Sequence, residues 1–154
     1  MRRHRIALAI LTTLVVARAG FAQDFALQVG PPIAGASQPA KKSLLVVRPG
    51  GCADPARAQI MATAEGLVDG VRRSVPLQLA ALSTPGVHAV SKDWPNGGFW
   101  VVNLVGTCSG KTAGAIVSIG SNSAYRREAV KLFPHRPTSA EIEASLKALT
   151  TGGQ

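Results

Sequence analysis

Turn residues recur along this chain at intervals too short for helices to fit between the segments they separate. Pro49-Gly50-Gly51, Asp69-Gly70, Pro85-Gly86, Pro95-Asn96-Gly97-Gly98 and the stretch Gly106 to Lys111 punctuate the middle of the sequence. Between them lie short apolar or alternating runs: Leu44 to Val47, Val75-Leu77-Leu79, Val87 to Ser91, Phe99 to Val105 and Ala113 to Ile119. Runs of this kind, bounded by Gly, Pro and Asp, read as strands. Parallel strands need a crossover of a dozen or more residues, usually a helix. No such segment is present, so the spacing predicts a mainly β fold: an antiparallel β-sandwich of about six or seven short strands over residues 44–120.

Residues 56–68 carry two patterns. Asp54-Pro55 suits the start of a helix, and Ile60, Ala64, Leu67, Val68 and Val71 keep helical spacing. Ile60, Ala62 and Ala64 also alternate, Gly66 weakens a helix, and Asp69-Gly70 is a strong two-residue hairpin signal. The balance favours a short helical turn near Asp54 followed by a strand from about Gln59 to Leu67. Residues 23–43, rich in Ala, Gly, Pro and Gln, read as a flexible linker; a brief alternation of Phe25, Leu27 and Val29 ends at Gly30-Pro31-Pro32. Residues 121–154 form a C-terminal extension. Thr138-Ser139-Ala140-Glu141 is a capping box ahead of Ile142, Leu146 and Leu149, which predicts a helix over about 139–149. Tyr125, Ala129, Leu132 and Phe133 fit either a short helix or an irregular edge strand.

The first 22 residues have the layout of a cleavable secretory signal. Arg2, Arg3, His4 and Arg5 precede an apolar run of 12 residues from Ile6 to Ala17, and Gly20-Phe21-Ala22 places small residues for cleavage after Ala22. A spanning helix needs about 20 apolar residues, so no transmembrane segment is expected after cleavage. The full chain has 17 Lys+Arg and 8 Asp+Glu; without the four Arg of the signal its net charge falls from +9 to +5. That modest excess points away from nucleic acid and, at most, to weak binding at an anionic surface. In a secreted or periplasmic chain, two Cys read as one disulfide, Cys52–Cys108. Closing a loop of that length stabilises by about 4 kcal/mol in the chain-entropy picture.

The stretch Pro85-Gly86-Val87-His88-Ala89-Val90, then Trp94-Pro95, then Gly98-Phe99-Trp100-Val101-Val102 resembles the core of small exported immunoglobulin-like sandwiches of the YtkA-like group. His88 stands where an aromatic is more usual in that group. The resemblance covers residues 85–102 and implies an immunoglobulin-like fold; the metal associations of that group do not carry over residue by residue.

Candidate chemistry is sparse. Gly106-Thr107-Cys108-Ser109-Gly110-Lys111-Thr112 imitates a phosphate-binding loop, but three residues rather than four separate its glycines, and the β-branched run that follows is strand-like. Ser109 and Ser121 lack the Gly-x-Ser-x-Gly setting of a hydrolase nucleophile. Asp54, Asp69, Asp93 and Glu141 have local roles in caps and turns, which leaves few carboxylates for acid–base work. No catalytic residue and no cofactor is expected. His88 and Met61 are weak candidate ligands for a copper-type metal, at no recognised spacing. Trp94, Asn96 and Phe99 around one tight turn form the leading candidate binding surface, with Arg72 and Arg73 as a second. The expectation is a non-catalytic binding or accessory module meeting an envelope protein or glycan. A periplasmic metal handler and a hydrolase using His88 or His135 are the alternatives.

Overall fold

The computed structural model describes residues 24–32, 43–119 and 124–152. The expected signal segment, residues 1–22, lies outside the described residues. The strands in chain order are β1 (Ala26–Gly30), β2 (Ser43–Gly50), β3 (Gln59–Val68), β4 (Val71–Pro76), β5 (Leu79–Ala81), β6 (His88–Ser91), β7 (Phe99–Cys108), β8 (Lys111–Ile119) and β9 (Val130–Phe133); one helix, α1 (Ser139–Thr151), follows. They form a β-sandwich of two antiparallel sheets, ordered β1-β2-β6-β5 and β4-β3-β7-β8-β9.

The double pattern at residues 56–68 resolves as a single turn of 3-10 helix at Pro55–Arg57 and then the strand β3. Asp54 precedes that turn without a side-chain capping bond. Alternation prevails because β3 is paired on both sides, with β4 and with β7. Gly66 is demanded by packing: a Cβ there would stand 2.4 Å from the Trp100 ring. Asp69 and Gly70, with φ of 50° and 75°, make the two-residue turn that joins β3 to β4.

The alternating run Val75-Leu77-Leu79 is divided rather than continuous. The β4 ladder ends at Pro76 opposite Thr63. The Leu77 N–H donates to Ala62 O at 2.9 Å, and the chain then crosses to the smaller sheet, where β5 pairs with β6. Leu77 is buried at the crossing, so the alternation survives although the strand does not. Part of the expected linker is also structured. Residues 26–30 are β1, paired along their length with β2, and Phe25 and Leu27 are buried in the core.

The interior is filled by Leu45, Val47, Ala64, Val90, Trp100, Val102, Leu104, Ala115 and Val117. Cys52, just after β2, and Cys108, at the end of β7, form a disulfide with Cα atoms 6.0 Å apart, joining the two sheets at one end. Trp94 packs on Trp100 with ring centroids 5.9 Å apart. On the outer face of the larger sheet, Val101 and Ile116 meet Ile142 and Leu146 of α1, with Phe133 and Leu149 at the margin. The capping box is formed: Glu141 N–H donates to Thr138 Oγ1 at 3.3 Å, and Thr138 N–H donates to Glu141 Oε2 at 2.7 Å.

Two outcomes follow from this packing. Gly66→Ala must displace Trp100 and should cost about 1–3 kcal/mol, read from urea unfolding followed by tryptophan fluorescence. The Thr138 backbone N–H holds the Glu141 carboxyl below its ordinary value of 4.5. A carboxyl lowered on folding stabilises fully above its unfolded value and loses that effect as the pH falls through the folded one. Glu141→Gln should therefore flatten the part of the stability–pH curve below about pH 4.5, measured as urea midpoint against pH.

Candidate functional site

The sandwich is closed unequally at its two sides. On one side the smaller sheet ends at β1 and the larger at β9. Val130 and Leu132 pair with Val117 and Ala115, which face the interior and are fully buried. Register therefore sends both β9 side chains toward the interior, yet Leu132 is 58% exposed. Among the described residues the apposed sheet has run out at β1, and none of them covers the mouth between the two edges.

A groove of about 740 Å³ occupies this mouth. Val29, Val130 and Leu132 supply apolar walls over the fully buried Leu27, and Val46 and Val87 continue the surface on the smaller sheet. Val46 pairs with Gly30 and alternates with the inward Leu45 and Val47, so it lies on the outer face of its sheet. The groove thus turns around β1 at Gly30. A volume of this size is ordinary for a small-molecule site.

The polar atoms of the groove are few and placed. Arg48 lies opposite Gln28 across β1 and β2, and its Nε donates to Gln28 Oε1 at 2.6 Å. That bond holds Arg48 against Gln28 on the outer face of the smaller sheet, the face that Val46 shares. Arg127 lies in the 3-10 turn Arg127–Ala129 that leads into β9 and also lines the groove. Among the described residues neither arginine has a carboxylate within ion-pair distance. Tyr125 Oη donates to Val29 O at 3.1 Å, fastening the segment before β9 to β1.

The residues singled out from sequence fall elsewhere. Trp94 and Trp100 are about 5% exposed or less, and Trp100 Nε1 donates to Gly97 O at 2.7 Å. Both rings belong to the core, so of the expected turn-end surface only Asn96 and Phe99 reach solvent, and Lys92 donates to Asn96 Oδ1. Arg72 lies 3.4 Å from both Glu65 and Glu143, tying α1 to β3 and β4, while Arg73 is exposed next to it. Structure gives Arg72 a helix-anchoring role rather than a free anion-binding one.

His88 and Met61 are not brought together. His88 pairs with the inward Val47 in the smaller sheet and its Nδ1 lies 3.1 Å from Gly86 O. Met61 is opposite Val105 on the outer face of the larger sheet and 53% exposed. The larger sheet stands between them. His135 sits with Glu141 at 3.7 Å beside the helix cap, away from both. Ser109-Gly110 is the two-residue turn between β7 and β8, with Cys108 paired to Lys111, so the residues that imitate a phosphate loop form a hairpin tip.

Two signals for the groove were present in the sequence. The Phe25-Leu27-Val29 alternation marks β1, and Val130 and Leu132 alternate about Lys131. Each is too short to be decisive alone, and only the pairing of β1 with β2 and β9 with β8 sets them on either side of one opening. No family model, curated protein or solved structure matches the chain. Among the described residues no helix is long and apolar enough to cross a membrane.

Core and surface roles around the tight turn separate by mutation. Trp94→Ala should cost about 3–5 kcal/mol, and Phe99→Ala less than about 1 kcal/mol, in urea unfolding of the oxidised protein.

Proposed function

We propose that the chain is an exported, non-catalytic binding or accessory module of the secreted or periplasmic space. Its ligand site in this reading is the groove between β1 and β9. The observation that carries it is Leu132, an inward-facing leucine left 58% exposed at the mouth of a groove of about 740 Å³. A lone exposed apolar residue is ordinary, but this one is turned inward by its pairing with Ala115 and stands over a groove of the size that ligand sites take. Export is supported by the arginines and apolar run of residues 2–17 and by the oxidised pair Cys52–Cys108, a bond favoured outside the cytosol. The two antiparallel sheets and the disulfide that joins them support an immunoglobulin-like frame. In such frames binding sites commonly sit where edges and loops leave the core accessible.

A binding role rather than a catalytic one is supported by what the groove's polar side chains do. Arg48 is held by Gln28, and Tyr125 donates its hydroxyl to a backbone carbonyl. Both histidines of residues 23–154 are engaged elsewhere, His88 with Gly86 O and His135 with Arg136 O and Glu141.

A photo-crosslinking side chain at position 132, compared with one at position 99, tests the reading in cells that export the protein. It predicts an adduct of defined mass from position 132 and none from position 99. No adduct at 132, or ester or peptide hydrolysis by the purified protein above the buffer rate, would overturn it.

A further inference from the structure

Four strands end a sheet, β1, β5, β4 and β9, and they are not equally protected. Resting on the reading of the β1–β9 opening as the ligand site, we infer that its occupant is an extended acidic peptide that adds to the free edge of β9. Alternate apolar side chains of that peptide turn onto Leu132, and the acidic ones between them face Lys131.

The phase of the hydrogen-bond ladder shows what β9 leaves open. Ser109 and Gly110, with φ of 50° and 77°, make a two-residue turn, so Cys108 and Lys111 form a bonded pair. In steps of two along β8, Ala113, Ala115 and Val117 direct their backbone groups to β7, while Gly114 and Ile116 direct theirs to β9. The partners of those two are Phe133 and Lys131. Leu132 therefore turns its N–H and C=O to the open side. The start of β9 has the same phase, since the Val130 N–H donates to Arg127 O rather than to β8. Leu132 thus combines a free edge backbone with a side chain that points inward and is 58% exposed. Strand addition draws its affinity from such edge groups and its specificity from alternate side chains. A strand laid antiparallel on β9 bonds both groups of Leu132 and turns the side chain opposite it into the opening.

The other edges are guarded. On β1, Val29 O is taken by Tyr125, and Pro31 and Pro32 follow the strand. On β4, Arg72 is tied to Glu65 and Glu143, the ladder ends at Pro76, and the buried Leu77 closes that side as the chain crosses. β5 is three residues long. Charge then selects the partner. Arg127, Lys131 and Arg136 flank or lie on β9, all exposed, and none has a carboxylate within ion-pair distance among the described residues. The neighbouring Glu128 is engaged by Arg126 at 3.7 Å. An acid beside the residue opposite Leu132 stands directly across from Lys131, where an opposite charge is favoured. A second copy of the chain is the poorer occupant. Pairing β9 with itself about Leu132 gathers the same three cations from both copies, and it sets Pro134, which has no N–H, opposite Val130.

The test is titration of the purified, oxidised protein with the end-capped peptide Thr-Val-Glu-Val-Glu-Val-Thr, followed by calorimetry and by amide hydrogen exchange of β9. The inference predicts saturable binding. It also predicts that the Leu132 N–H exchanges fast in the free protein and at least about tenfold more slowly with peptide, while the Lys131 and Phe133 N–H groups are slow in both. A peptide with Lys in place of both Glu, and one N-methylated at its central Val, should each bind at least about tenfold more weakly. Lys131→Glu should weaken the parent peptide about fivefold, and Lys147→Glu on α1 should leave it unchanged. Both lysines are exposed, so the thermal transitions of these variants should stay close to that of the parent, which separates loss of site from loss of fold. Equal binding of the N-methylated or the lysine peptide would overturn the inference. So would a Leu132 N–H already slow in the free protein, and protection that grows with protein concentration would identify a second copy as the occupant. Failure to bind peptide alongside a crosslinked adduct at position 132 would remove the strand ligand and leave the groove as a site; failure of both would remove the site itself.

Discussion

From Trp100 to Val105 strand β7 carries buried apolar residues on both faces, and the rest of the structure is arranged around that requirement. Trp100, Val102 and Leu104 point into the sandwich, while Val101 and Val105 on the opposite face are also buried. The inward set needs a second sheet, and the outward set needs a lid. The first need is met by β1, β2, β6 and β5, joined to β7 at one end by the disulfide. The second is met by α1, whose Ile142 and Leu146 reach Val101 and Ile116. Arg72 between Glu65 and Glu143 and the close seating of Pro137 on Gly114 help hold that lid in place.

Those demands leave the two sheets unequal, four strands against five. A closed barrel would have no edges, whereas an open sandwich must manage each of its edges. At the β1 side the chain does so incompletely. Tyr125 blocks Val29 O and Pro31 follows the strand, which guards against pairing with another chain, while Leu132 across the opening stays exposed.

The sequence made the fold class legible because its turn chemistry is explicit. Asp69-Gly70 can join strands but cannot sit inside a helix at φ of 50° and 75°, and it decided the double pattern of residues 56–68 in favour of β3. The capping box at Thr138 and the pairing of Cys52 with Cys108 were equally readable from local residues. What escaped depends on distance along the chain. Leu77 alternates with its neighbours whether the strand continues or changes sheets, and the crossing is set by the Ala62 carbonyl, fifteen positions earlier. Trp94 in a tight turn reads either as a core ring paired with Trp100 or as an exposed platform, and its packing on Trp100, which Gly66 accommodates, decides for the core. The groove has no sequence pattern of its own, since it is made by two edges more than 90 residues apart, as the Tyr125–Val29 bond shows.

The open mouth between β1 and β9 is the central claim, and methyl relaxation enhancement by a soluble paramagnetic agent tests it directly. The structure predicts strong enhancement at Leu132 and little at Leu27, Leu45 and Leu104, although all four side chains face the interior by register. Protection of Leu132 equal to that of Leu45 would mean the mouth is closed in solution and would contradict the account.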